Sequence, residues 1–302
     1  MNKISFLTSR APSGHELFEK DQRGFLKRAT GLLKCWIISK LSNHCWHTMR
    51  GAKQMLCAVH NFLRPNDFVF KTDVRNYYSS INHSLLFHCC VNIGIRGFLL
   101  DVIVAYMERT QLYANGSHQH TIGIPKGGSL SPLLGALYLN ACDKRMELWV
   151  KRGDVFYARF MDDIILIART RSVFRRAKQA LLDELEKVEL ILRPEKTMLG
   201  RAFKGFDLLG YQFMYTNSVF KLSPSQKTIQ NALDNGKQCY ARKGPIALAT
   251  YQERWNIWLH AGIAKILLSS PAIIFPRVLL LKDPIRAIFT NPSKKLTPLK
   301  KY

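Results

Sequence analysis

Two periods alternate along the chain. Val155-Phe156-Tyr157-Ala158-Arg159-Phe160-Met161 and Ile164-Ile165-Leu166-Ile167-Ala168 are short apolar runs on either side of Asp162-Asp163. They predict a β-hairpin with the two acids at its tip. Phe68-Val69-Phe70-Lys71-Thr72-Asp73 alternates like a strand that ends on an acid. Residues 82–110 read as helix, and Asn115-Gly116 between β-prone flanks predicts a second hairpin. Ser131-Pro132 predicts a helix start, with Ser as N-cap and Pro in the first turn, continuing through Leu133, Leu137, Leu139, Met146 and Leu148. An amphipathic helix is expected from Ser172 to about Leu190, with Val173, Ala177, Leu181, Leu185 and Val188 on one face. Residues 206–213 look β-like, and residues 222 to about 270 look helical, with Trp255 and Trp258 as core anchors. The order of elements predicts an α+β fold rather than a doubly wound sheet.

Composition adds a partner class. Of 302 residues, 45 are Lys or Arg and 21 are Asp or Glu, a formal net charge of +24, and 47% are hydrophobic. A folded, strongly basic protein is expected to bind nucleic acid. The 7 cysteines form no C-x-x-C pair, which suits a reducing compartment and core packing. Cys35, His44, Cys45, His47, Cys57 and His60 cluster in sequence, but at no standard zinc spacing. Met1–Lys20 has no apolar run of the kind that leads a secreted chain, so a cytoplasmic protein is expected. Ile263–Leu281 is apolar but broken by Lys265, Pro271, Pro276 and Arg277, so no membrane partner is expected. Asn291–Tyr302 reads as a Lys/Pro-rich tail.

The candidate chemistry lies in three acids. Asp73 ends one predicted strand, and Asp162 and Asp163 sit on the predicted hairpin. If strand and hairpin are neighbours in one antiparallel sheet, the carboxylates converge at its edge. Hard oxygen ligands of that kind suit Mg²⁺. Two such ions about 3.5–4 Å apart clamp the attacking and leaving oxygens of a phosphoryl transfer. Each piece alone is ordinary: an Asp-Asp turn is usually only a turn.

Five ordered motifs carry a family resemblance. Phe70-Lys71-Thr72-Asp73-Val74-Arg75-Asn76-Tyr77-Tyr78-Ser79-Ser80-Ile81 resembles the first palm motif of bacterial reverse transcriptases. Gly123-Ile124-Pro125-Lys126-Gly127-Gly128-Ser129-Leu130-Ser131-Pro132-Leu133-Leu134 resembles the second, and Tyr157-Ala158-Arg159-Phe160-Met161-Asp162-Asp163 the third. Leu192-Arg193-Pro194-Glu195-Lys196-Thr197 and Gly205-Phe206-Asp207-Leu208-Leu209-Gly210-Tyr211 resemble the fourth and fifth. In style the chain is similar to the group II intron and retron-type enzymes.

The resemblance implies a right-hand polymerase palm, an antiparallel sheet with packed helices, with reduced fingers and a helical thumb. Residues 1–67 would be an N-terminal region with partial fingers. Residues 68–215 would be the palm, with a fingers-type insertion at about 82–122, and residues 216–302 the thumb and basic tail. The implied activity is RNA-directed DNA polymerisation on an RNA template, extending a DNA or RNA primer with dNTPs. Asp73, Asp162, Asp163 and the Val74 carbonyl would hold two Mg²⁺, with Mn²⁺ as an alternative. Tyr78 would be the gate against a ribose 2′-hydroxyl. Pro125, Lys126, Gly127 and Gly128 would face the template or incoming nucleotide. Phe160 and Met161 would line the primer end, Lys196 would protonate the leaving pyrophosphate or simply contact phosphate, and Leu209, Gly210 and Tyr211 would grip the primer.

The chain departs from the pattern at Lys126, where the family usually carries Gln, and in the N-terminal 67 residues. Arg50, Lys53 or Lys71 are the candidates to hold the triphosphate. After residue 213 the acids are Asp234, Glu253 and Asp283, so an RNase H-type cluster is not expected in that stretch. Two alternative functions stay open at this point: a non-catalytic, maturase-like RNA-binding module, and a template-independent or protein-primed polymerase.

Overall fold

A computed structural model describes residues 23–108, 110–113, 116–119 and 122–263. The chain divides into two compact units. One combines residues up to Met55 with Asn61–Ala202, and the other combines Leu56–His60 with the chain from Phe203.

The first unit is built on a four-stranded sheet in the order β4-β5-β1-β6, from strands β1 (Phe68–Asp73), β4 (Val155–Phe160), β5 (Asp163–Ala168) and β6 (Met198–Arg201). The two remaining early strands, β2 (Thr110–Tyr113) and β3 (Gly116–Gln119), form a separate antiparallel pair. Asn115 itself lies outside the described residues. All pairings in the main sheet are antiparallel. One face, with Phe70, Ile164, Leu166 and Ala168, joins a core completed by helices Arg23–Ile38, Ser131–Tyr138, Asn140–Val150 and Arg171–Lys187. Leu33, Leu137, Met146, Phe174 and Leu181 belong to that core. Alternation along a strand puts Lys71, Asp73 and Asp163 on the opposite face. This is an α+β architecture, an antiparallel sheet with packed helices, as the resemblance implies.

The β1–β5 register is held at both ends. Asp67 and Arg169, just outside the paired residues Phe68 and Ala168, form an ion pair, and Arg169 also donates to the Phe62 carbonyl at 2.8 Å. At the other end the Val74 N–H donates to the Asp162 carbonyl at 3.1 Å.

The structure corrects the expected elements in several places. Asp162-Asp163 is not the dipeptide at the hairpin tip: Phe160 pairs with Asp163, so the two-residue turn is Met161-Asp162 and Asp163 opens β5. Met161 has φ 56°, the sign expected at the first turn residue when a two-residue loop follows the right-handed twist of its strands. The helix expected over 82–110 is two helices, His83–Asn92 and Phe98–Met107, divided where Gly94 and Gly97 adopt positive φ. Ser131 does not cap its helix; its hydroxyl donates to the Pro125 carbonyl at 2.5 Å. That helix ends at Tyr138 and a second runs over Asn140–Val150, which leaves Leu148 exposed. The amphipathic helix runs Arg171–Lys187 and buries Phe174, Ala177, Leu181 and Leu185.

The second unit carries a three-stranded antiparallel sheet of β7 (Phe206–Leu208), β8 (Tyr211–Thr216) and β9 (Val219–Pro224). It also carries the helical stretch Gln226–His260, broken at Gly244, φ 76°, just before Pro245. Trp258 is an exposed residue and Trp255 is half-buried, so neither anchors the core as expected; Leu248 and Leu259 are buried instead. The apolar stretch beyond Ile263 and the Lys/Pro-rich tail lie outside the described residues. Among the described residues no helix is long and apolar enough to cross a membrane.

Candidate active site

Asp73, last in β1, pairs directly with Asp163, first in β5. Paired residues in an antiparallel ladder point to the same side of the sheet, so the two carboxylates share a face, and Asp162 adjoins them in the turn. The Asp73 side chain is buried. Its Oδ2 receives Lys196 Nζ at 2.6 Å. Arg193 Nε lies 3.1 Å from Oδ1, yet not in hydrogen-bonding alignment, and Oδ1 has no hydrogen-bond donor. Lys196 and Arg193 come from the segment after the amphipathic helix, which is tied down by the backbone. Arg193 N–H donates to the Asp73 carbonyl at 2.9 Å, and Arg75 N–H to the Ile191 carbonyl at 2.8 Å.

Burial raises the Asp163 carboxyl to about 6, with Lys71 opposing and Asp162 and Asp73 adding to the rise. The Asp162 carboxyl is also raised, chiefly by burial, with the Asp73 charge adding to the rise. Acids held back from ionisation by burial ionise more readily when a cation is brought beside them.

The turn between the strands is clamped through its backbone. The Met161 N–H donates to His47 Nδ1 at 3.2 Å, and Arg159 Nη1 donates to the Met161 carbonyl at 3.0 Å. Arg159 is fully buried and bidentate to Asp143, with Nη2 at 2.5 Å from Oδ2 and Nε at 2.9 Å from Oδ1. Tyr157 Oη donates to Asp143 Oδ1 at 2.8 Å. A buried charge pair of this kind is tolerable only when its hydrogen bonds are nearly all made, and Arg159 adds bonds to the Ala136 carbonyl and to Cys45 Sγ. Residues 44–47 are stitched along β4: Arg159 N–H donates to the His44 carbonyl, and His44 Nδ1 lies 3.0 Å from the Tyr157 carbonyl oxygen.

Tyr78 is half-buried next to Tyr77, ring centroids 5.4 Å apart. Its hydroxyl pKa is raised by burial and then by the Asp162 charge. Residues 123–124 lie against this turn: Ile124 N–H donates to the Tyr78 carbonyl at 2.7 Å. A Cβ at Gly123, φ 85°, would come within 2.7 Å of the Ser79 backbone, so this approach admits only glycine. Pro125 is buried, Lys126 and Gly127 are exposed, and the space beside Gly128 is filled by the Tyr106 hydroxyl. The Phe160 ring meets the His47 ring edge-on at 5.9 Å. In the second unit, Leu209 and Gly210 form the β7–β8 turn, and the buried Tyr211 donates its hydroxyl to the Leu259 carbonyl at 2.8 Å.

The register sets a strand-end acid opposite an acid-bearing hairpin, and the first acid also carries a lysine. The family model described as reverse transcriptase (RNA-dependent DNA polymerase) matches residues 17–213. The chain belongs to the reverse transcriptase family.

Solved structures agree on the fold of this reverse transcriptase. Apo telomerase from Candida tropicalis aligns with a TM-score of 0.58 at 14% identity, over 89% of this chain and 55% of that one. Telomerase from Candida albicans in complex with a TWJ fragment of telomeric RNA aligns with a TM-score of 0.56 at 12% identity, over 82% and 51%. At these identities the likeness is one of fold, and the chain spans about half the length of those telomerases. No curated protein sequence matches the chain.

The reverse transcriptase site fits a divalent cation in its chemistry. Its donors are hard carboxylate oxygens, and a buried Asp73 oxygen lacks a hydrogen-bond donor. Among the described residues no three acid, His or Cys side chains stand close enough to cage an ion; Asp73 is engaged by Lys196 and Arg193 instead. Sequence reasoning missed Arg193, His47 and the Asp143–Arg159 pair. Arg159 was visible inside the third motif, and His47 only as part of a Cys/His cluster that matched no metal spacing. His44, His47 and His60 prove to be bonded to the carbonyls of Tyr157, Pro132 and Phe220.

Proposed function

We propose that this chain is an RNA-directed DNA polymerase of the bacterial group II intron and retron-like type, part of a mobile element or an antiphage defence system. It extends the 3′-hydroxyl of a DNA or RNA primer with dNTPs along an RNA template. The observation that supports this most is the register that sets Asp73 against Asp163, with Asp162 beside them.

Asp73, Asp162 and Asp163, with the Val74 carbonyl, would hold two Mg²⁺, with Mn²⁺ as an alternative. When bound, these ions supply activation of the 3′-hydroxyl and charge neutralisation at the phosphates. The residues of the chain orient and screen. Tyr78 stands at the sugar of the incoming nucleotide and excludes a 2′-hydroxyl. Phe160 and Met161 bear on the primer end, and Leu209, Gly210 and Tyr211 on its backbone. Pro125, Lys126, Gly127 and Gly128 serve the template strand or the incoming nucleotide. Lys196 releases Asp73 and donates a proton to the leaving pyrophosphate. The palm would span residues 68–215, and residues 216–263 would belong to a thumb that holds duplex through its basic residues.

The test is dNTP incorporation on poly(rA)/oligo(dT) by purified protein and by Asp162→Ala. Incorporation lost in the variant, with RNA binding kept, is the expected result. RNA binding without incorporation by the wild type would favour a maturase-like module. Incorporation without template, or DNA joined covalently to the protein, would favour the template-independent or protein-primed reading.

A further inference from the structure

We infer that His47 is a positioning residue for the metal-bearing turn: its imidazole braces the Met161 backbone against the helix of the second motif. The inference rests on the polymerase reading above, and adds to it a residue outside every motif of that reading.

The bonding pattern leaves one arrangement of protons. The Met161 N–H can only donate, and it meets His47 Nδ1 at 3.2 Å. The Pro132 carbonyl can only accept, and it lies 3.0 Å from His47 Nε2. The ring is therefore neutral, with its proton on Nε2 and its lone pair on Nδ1. Cys45 Sγ lies 3.5 Å from the same Nδ1. Burial lowers the His47 pKa, which favours that neutral form.

The brace stands where the backbone needs one. Met161 has φ 56° and is not glycine. A residue held there persists only when its surroundings over-determine it. Three backbone groups of the two turn residues are pinned by three separate stretches of chain. His47 takes the Met161 N–H, Arg159 the Met161 carbonyl, and the Val74 N–H the Asp162 carbonyl. Of the three, the His47 bond alone reaches outside the palm motifs, and its far side ends on Pro132, in the first turn of helix Ser131–Tyr138. The ring thus fixes the direction in which Asp162 leaves the turn, relative to the loop at residues 123–130.

The experiment compares His47→Phe, which keeps an aromatic ring but has no acceptor, with His47→Asn, whose Oδ1 stands near the place of Nδ1. Three readings are taken on each full-length protein: thermal stability, steady-state dNTP incorporation, and Mn²⁺ binding without nucleotide by electron paramagnetic resonance. His47→Phe is expected to lose about 10–100-fold in kcat and in Mn²⁺ affinity, the range for lost partners that orient metal ligands, with KM for dNTP little changed. His47→Asn is expected to recover most of both. Nitrogen NMR of labelled wild-type histidine should report Nδ1 as the unprotonated ring nitrogen. The inference is overturned if His47→Phe matches wild type in kcat and Mn²⁺ affinity. It is equally overturned if His47→Asn is as impaired as His47→Phe and both losses track melting temperature alone. Asp162→Ala, run alongside, separates the two levels: if that variant still polymerises, the polymerase site itself is misassigned, whatever His47 does.

Discussion

Lys196 Nζ lies 2.6 Å from Oδ2 of Asp73, so a side chain assigned to leaving-group chemistry is paired with a candidate metal ligand. The lysine side chain is 41% exposed and that of the acid is buried. A cation arriving at Asp73 has to displace or share with this ammonium.

Lys196→Met is therefore expected to have two opposite effects. Without nucleotide, Mn²⁺ should bind more tightly, because its competitor is gone. During turnover, nucleotide addition should slow within the roughly 10²–10⁴-fold range of a lost general acid. Mn²⁺ titration and rapid-quench nucleotide addition check the two signs separately.

Asp163 gives a pH signature. Its carboxyl is raised from 3.8 to about 6, chiefly by burial. Between those values the folded protein holds a proton that the unfolded chain lacks. Stability from this group thus grows as pH falls through 6 and is lost as pH rises. Metal-free Asp163→Asn should be more stable than wild type at pH 7.5, by on the order of 1–2 kcal/mol. The difference should shrink toward zero near pH 4. Melting temperatures across that pH range decide it.

The Asp143–Arg159 pair predicts a large loss. Asp143→Ala leaves a fully buried guanidinium without its carboxylate, and should cost about 3–5 kcal/mol in urea unfolding. The double change Asp143→Leu with Arg159→Met should cost less than Asp143→Ala alone, because no charge is left stranded.

Tyr78→Ala tests the sugar gate. Discrimination against ribonucleotides should fall by about 10–100-fold, measured as the ratio of kcat/KM for dNTP and rNTP. Unchanged discrimination would place the gate at another residue.

Much of the palm was legible in the sequence because it is written in local signals. β1 ends at Asp73 as the alternation requires, and Phe174, Ala177, Leu181 and Leu185 are buried at helical spacing. What was not legible depends on chain segments far apart. The hairpin turn shifted by one residue, to Met161-Asp162, because a positive φ at Met161 is supported by His47 and Arg159, contacts that no local pattern encodes. The run over 82–110 looked continuous because its apolar periodicity survives the Gly94 and Gly97 break. Trp255 and Trp258 misled because large aromatics suggest burial, whereas this helical stretch buries the smaller Leu248 and Leu259.

The β1–β5 ladder limits how this protein can drift. Its two outer locks, Asp67 with Arg169 and Val74 with Asp162, bracket six paired residues on each strand. Side chains alternate faces along a strand, so gaining or losing one residue between the locks would swing every later side chain to the other side. An aspartate would then be driven among Phe70 and Leu166, and an isoleucine would take its place before the substrate. Length changes are therefore tolerable in the connections around the ladder, while the interval between the locks stays frozen in length even where the residues within it are free to vary.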